Sequence, residues 1–108
     1  MNSARVKPQE CGSMAEVRHG IDRLDEQIVA LLGERFRYMD AAARIKQERA
    51  AVRDEARKAE VIGNAKRCAA ESGVPATVVE EIYNRLVEGS IAYEFERFDE
   101  IRAIAGGD

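Results

Sequence analysis

The sequence predicts an all-α fold, and three observations carry that expectation. From Met14 apolar residues recur at steps of three and four, and two further segments carry apolar residues at helical spacing. The composition, 45% hydrophobic and 34% charged with 6% aromatic residues and no Trp, suits helices rich in Ala, Leu, Glu and Arg. No run alternates apolar and polar residues between turn signals, as a half-buried strand would. The length suits a single domain, placed at residues 14–105. It follows a tail, residues 1–13, in which Pro8, Gly12 and polar residues obey no period and which is expected to be disordered.

The first helix is expected to open at Ser13, which stands three residues before Glu16 in the spacing of a capping box. Its stripe runs through Met14, Val17, Ile21, Leu24, Ile28 and Leu31, then Tyr38, Ala42 and Ile45, and should end near Glu48. A shorter helix follows from Asp54, a suitable N-cap, through Val61, Ile62, Ala65 and Cys68 to a stop at Ser72-Gly73. After Pro75 a third pattern, Val79, Ile82, Tyr83, Leu86, Val87, Ile91, Phe95, Phe98 and Ile101, predicts a long helix that closes near Gly106-Gly107. The chain is thus long, short, long. The first helix would be ~50 Å in length, more than the width of a globule of this size, so two other helices cannot cover its stripe. An intertwined homodimer with paired first helices is the expected solution. A monomeric bundle broken near Gly33 is the simpler alternative.

A formal charge of −3 gives no general attraction to nucleic acid or anionic membranes, so anion binding has to come from a local arrangement of cations. No apolar run approaches the ~20 residues of a membrane span, and a reducing cytoplasm is the default location. Cys11 and Cys68 have no metal-ligand spacing and read as incidental thiols. Neither a metal nor a cofactor is expected.

Polar residues inside the stripes carry the functional signal. Arg35 lies seven residues after Ile28 and seven before Ala42, which turns it toward the core, where a cation needs an anion. An inter-helix salt bridge or a snorkelling side chain would satisfy it without any ligand. Lys46 follows eleven residues later, on the same face and ~16 Å further along. Arg18 stands seventeen residues before Arg35, ~25 Å away, too far to share a small molecule within one subunit, although a partner's Arg18 in an antiparallel pair could reach it. Arg57 is a fourth candidate, with Asp54 to Lys58 at the mouth of such a pocket; singly, Arg18, Arg57 and Lys58 read as solvated charges. Glu94 falls among Val87, Ile91 and Phe98, where desolvation favours a neutral, hydrogen-donating carboxyl, and Ser90 faces the same way one turn earlier. A carboxylate paired with Arg35 is the plainer reading. His19 sits on the flank of the first helix beside Asp22 and Arg23, as a surface residue. Several inward cations without a nucleophile suit a small, multiply anionic ligand that is bound and polarised rather than attacked.

At these residues the sequence resembles the all-helical chorismate mutase family. The resemblance spans about Met14 to Glu100 through VRHGIDRLDEQIVALLGERF, ARIK, VRDEARKAEV and EGSIAYE. The ordered run Arg18, Asp25, Arg35, Lys46, Asp54, Arg57 and Ser90 is specific when taken together. The resemblance implies an intertwined dimer with two equivalent sites, each completed by the partner's Arg18. It also implies that Arg18 and Arg35 hold the two carboxylates of chorismate, with Arg57 nearby, and that Lys46 donates to the ether oxygen. A second donor would come from the position of Glu94, often Gln in the family. Lys58 stands where these mutases commonly carry a glutamate that contacts the ring hydroxyl, a role that Asp54 could take over.

MAEVRHGIDRLD and ERFRYMDAAARIK also look like the isochorismate-pyruvate lyase branch, which makes salicylate. Val52-Arg53-Asp54 favours the mutase. Mutases of 4-amino-4-deoxychorismate are a third possibility. AAESGVPATVVEEIYNRL has the outline of a helix-turn-helix, but its second helix would present Glu80 and Glu81 to phosphates, so a DNA-binding regulator is disfavoured. A catalytically idle helical scaffold would differ from the enzyme in gaining no stability from a chorismate-like dicarboxylate.

A glutamate donates a hydrogen bond only when protonated, so reliance on Glu94 as a donor makes activity fall as pH rises. Glu94→Gln should flatten that decline in a pH–rate profile, and an unchanged profile would remove Glu94 from the mechanism.

Overall fold

Residues 5–106 are described by a computed structural model. Three helices account for most of them: α1 Met14–Ile45, α2 Glu55–Ser72 and α3 Ala76–Gly106. Short 3-10 turns occupy Pro8–Glu10 and Arg49–Val52, and no strand occurs among the described residues. The fold is all-α in the long, short, long order that the periodicity predicts. The chain forms two units, Met1–Arg37 and Tyr38–Asp108, and α1 contributes to each.

In the first unit, residues 1–4 of the expected tail lie outside the described residues. Residues 8–10 make a single 3-10 turn, closed by the Glu10 N–H on the Lys7 carbonyl at 2.9 Å. Three residues are too few to register in a search for helical period. The start of α1 departs in detail from a capping box. The Glu16 N–H donates to Ser13 Oγ at 3.2 Å as expected, but Glu16 Oε1 accepts from the Gly12 N–H at 2.7 Å rather than reaching back to Ser13. A carboxylate in the first turn also complements the positive end of the helix dipole. The helix then runs through Gly33 without a break. Met14, Ile21, Leu24, Ile28 and Leu31 of its stripe are all exposed, the least of them, Leu24, at 41%. Val6, Pro8 and Cys11 line a small cavity of about 160 Å³ with Val17, Ile21 and Leu24.

The second unit is built around Ala43, Val52, Val87, Ile91 and Phe98, with Val61, Phe95 and Ile101 packed on them. The last turns of α1, the Arg49–Val52 turn and α3 therefore share one core, and α2 lies along α3. Local chemistry sets the limits of α2. Asp54 Oδ1 accepts from the Arg57 N–H at 3.0 Å, and Gly73 ends the helix at φ 75°, a left-handed conformation that glycine adopts without a Cβ clash. The Val78 and Val79 N–H groups then donate to the Pro75 carbonyl, which opens α3.

Charged staples hold this unit from outside. Arg53 bridges Glu55 at 2.9 Å and Glu88 at 2.6 Å, while Lys58 Nζ meets the other Glu88 oxygen at 2.5 Å. Asp40 accepts from the Tyr93 hydroxyl at 2.6 Å and from Arg97 Nε at 3.1 Å. Arg49 pairs with Asp99 through two contacts, at 2.9 and 3.1 Å, and lies over the Phe95 ring.

The hydrogen bonds from Arg53 and then from Lys58 lower the Glu88 carboxyl from its ordinary 4.5 to about 2. A carboxyl lowered by folding stabilises the protein above its unfolded value and loses that contribution as pH falls through the folded one. The gap in urea midpoint between wild type and Glu88→Gln should be constant above pH ~5 and close as the pH falls from there toward 2. A gap that persists undiminished at pH ~2 would show that the pairing contributes through packing rather than charge.

Candidate active site

The site begins where α1 stops. The periodic pattern reaches toward Glu48, yet the helix ends at Ile45, and the Lys46 N–H makes the last helical bond, to the Ala42 carbonyl at 2.9 Å. Two features end it there. Val52 is buried in the core and draws the chain inward through the 3-10 turn. Arg102 of α3 also intercepts the terminal carbonyls, its Nη1 donating to that of Ala43 at 2.7 Å and its Nη2 to that of Lys46. These are groups that a helix end leaves without intrahelical donors.

Glu94, Phe98 and Arg102 recur every four residues and so share one face of α3. Phe98 is core, and the Arg102 guanidinium lies over its ring at 3.7 Å. Glu94 is 4% exposed, and its Oε2 meets Lys46 Nζ at 2.8 Å. The contact is an ion pair without the direction of a good hydrogen bond, and Glu94 Oε2 has no hydrogen-bond donor among the described residues. Lys46 keeps about a third of its side chain in solvent, so the pair sits at the margin of the core rather than sealed within it. Lys46 is the cation paired with Glu94.

The remaining sequence candidates fall into three places. Ser90 is 3% exposed, one turn before Glu94, and its Oγ donates to the Leu86 carbonyl at 2.7 Å. Asp54 and Arg57 meet at the start of α2 through the cap, while the Arg57 guanidinium turns to Glu60 at 2.6 Å on the surface. Arg18, exposed, and Arg35, half-buried, belong to the first unit. The cavity of that unit is lined by none of the candidate site residues. Within the second unit, the structure therefore joins Lys46 to Glu94, with Ser90 beside the latter on α3, and joins Asp54 to Arg57.

Val52, Arg53 and Asp54 each have a structural task, as core residue, ion-pair bridge and helix cap, which removes much of their value as a sign of one substrate. Lys58 is held on Glu88. Sequence reasoning passed over two residues, Arg102 and Glu88. Arg102 continues the spacing of Glu94 and Phe98, a signal visible in the sequence; the partner choice of Glu88 has none.

Chemically, this arrangement polarises. An ammonium carries three N–H donors, and one carboxylate leaves two of them for an oxygen brought in from the open side. The Ser90 hydroxyl donates into its own helix, away from the role of an activated nucleophile.

Comparison with known proteins identifies a family and a relative. The family described as chorismate mutase type II matches residues 17–95. The isochorismate pyruvate lyase of Pseudomonas aeruginosa is 34% identical over 98 residues, which cover 91% of this chain and 97% of that protein. Lys46, Ser90 and Glu94 lie inside the matched family region, and Arg102 lies beyond its end.

Proposed function

The chain belongs to the chorismate mutase type II family, and from that premise we propose that it catalyses a pericyclic reaction of a chorismate-type dicarboxylate. The first reading is the rearrangement of chorismate to prephenate. The observation that carries it is the Lys46 ammonium held at 2.8 Å against the buried Glu94 at the edge of the core. In this reaction the ether C–O bond breaks as a C–C bond forms between side chain and ring, and no proton is taken up or released. Negative charge grows on the ether oxygen in the transition state. A donor fixed where that charge develops stabilises the transition state more than the substrate. Lys46 has N–H groups to spare for it.

The substrate's two carboxylates need cations of their own. Arg35 and the partner's Arg18 take this role, with Arg57 near the mouth, since a guanidinium matches a carboxylate with paired donors. Such binding also holds the substrate in the compact conformer that reacts. A homodimer brings Arg18 of one subunit to the site of the other. The exposed stripe from Met14 to Leu31 supports this assembly, because an apolar face of that length is normally covered. Asp54 and Ser90 complete the contacts around the ring.

Lyase activity on isochorismate is a second reading, favoured by the relative from Pseudomonas aeruginosa and by Lys58. There the ether C–O bond breaks while a ring hydrogen moves to the side-chain methylene, giving salicylate and pyruvate. The same donor serves the same oxygen. What changes is the hydroxyl position on the ring, and Lys58, tied to Glu88, does not offer the carboxylate that the mutases commonly use there.

Purified protein incubated separately with chorismate and isochorismate, with products resolved by chromatography, distinguishes the readings. Prephenate from chorismate is the expected product. Salicylate and pyruvate from isochorismate with little prephenate would make the lyase the function, and no turnover of either acid would contradict the proposal.

A further inference from the structure

We propose that Arg102 is a positioning residue for Lys46, fixing the backbone from which the ammonium reaches the reacting oxygen. The inference rests on the reading of Lys46 as the donor in the proposed reaction. Lys46 is the first residue after α1, and its side chain has four rotatable carbons, so its Nζ is only as well placed as the chain end that carries it. A helix terminus frays easily because its last carbonyls lack intrahelical donors. Here Arg102 supplies them, with one nitrogen on Ala43 and another on Lys46 itself.

Three features make this more than a surface contact. The guanidinium is stacked on Phe98, itself 6% exposed, so the fork is held in orientation by the core. A cation at the C-terminal end of α1 also opposes the negative pole of that helix. Arg102 and Glu94 stand on the same face of α3, one on each side of Phe98, so this helix grips Lys46 twice: Glu94 by the ammonium and Arg102 by the carbonyl. Beyond Lys46, Arg49 is anchored to α3 through Asp99 and Phe95, while Arg102 ties the backbone at the Lys46 end of this connection. Since Arg102 falls outside residues 17–95, the clamp belongs to the part of α3 beyond the family match.

Small errors in the placement of a catalytic group cost much in rate. A displacement of about 1 Å is worth up to ~100-fold. Loss of Arg102 should therefore lower kcat by about tenfold while KM changes little, because the misplaced donor acts mainly in the transition state. Arg102→Lys, which keeps a cation able to reach one carbonyl, should recover part of kcat.

The test uses the full chain with Arg102→Ala and Arg102→Lys, and two readouts. The first needs no substrate: the rate at which an amine-reactive ester acylates Lys46, followed by mass spectrometry with Lys66 as internal reference. Arg102→Ala should raise the Lys46 rate severalfold and leave Lys66 unchanged, with Arg102→Lys between. The second is the division of the activity loss between kcat and KM on whichever acid the wild type consumes. An unchanged Lys46-to-Lys66 ratio, or an activity loss that merely follows the fraction folded, would overturn the proposal. If the wild type consumes neither acid, the functional reading fails by itself, and the labelling ratio still decides whether Arg102 places Lys46. Should Arg102→Ala not fold, Arg102→Gln and Arg102→Lys provide the same comparison.

Discussion

A carboxyl group buried to 4% exposure within an apolar helix face is the constraint on which the second unit depends. Left without a partner, a polar group buried to that degree costs about 1–3 kcal/mol or more, a sizeable fraction of the stability of a small domain. The molecule resolves this by bringing the end of α1 to α3 so that Lys46 stands at 2.8 Å from it. Other features of the unit follow from that meeting. α1 has to stop at Ile45, Val52 has to turn inward, and Arg102 has to cover the carbonyls left at the helix end. A hydrophobic pair could stabilise the same core as well or better. A buried pair with one side open to solvent is therefore better explained by chemistry than by stability.

On the proposed reading, the same pair lets a helical chain with no metal-ligating cluster among its described residues act as an enzyme of this family. Pericyclic reactions ask for a shape and for donors at the oxygen where charge accumulates, and a rigid helical frame supplies both without proton transfer. Arg18 and Arg35 lie in Met1–Arg37, and Lys46 and Glu94 lie in Tyr38–Asp108. The surface networks around Asp40, Glu88 and Asp99 hold α3 against the end of α1 and the connection that follows it.

Much of this was legible in the sequence where local chemistry decides the outcome. Asp54 caps α2, Gly73 ends it, and Pro75 precedes α3 because each residue type has a backbone preference that neighbours seldom override. Glu94 was legible as an anomaly, since a carboxyl in an apolar stripe breaks the pattern, but the cation beside it was not. Identifying Lys46 as that cation requires knowing where α1 ends, and that end is set by contacts between residues far apart in the chain. The turns at Pro8–Glu10 and Arg49–Val52 were invisible for a related reason: three or four residues carry no period. Val52-Arg53-Asp54 was readable as a motif, yet its three residues prove to be a core contact, a bridge and a cap, and motif spacing alone does not separate such roles from substrate binding.

The central claim is that Lys46, held by Glu94, is the group that acts on the reacting oxygen. Its most direct test is steady-state turnover by Lys46→Met, whose side chain keeps the length and apolar stem and loses the charge and the donors. If the account holds, kcat falls by at least about 100-fold while the protein remains folded and KM changes by far less. A Lys46→Met protein that turns over substrate at close to the wild-type rate would contradict it.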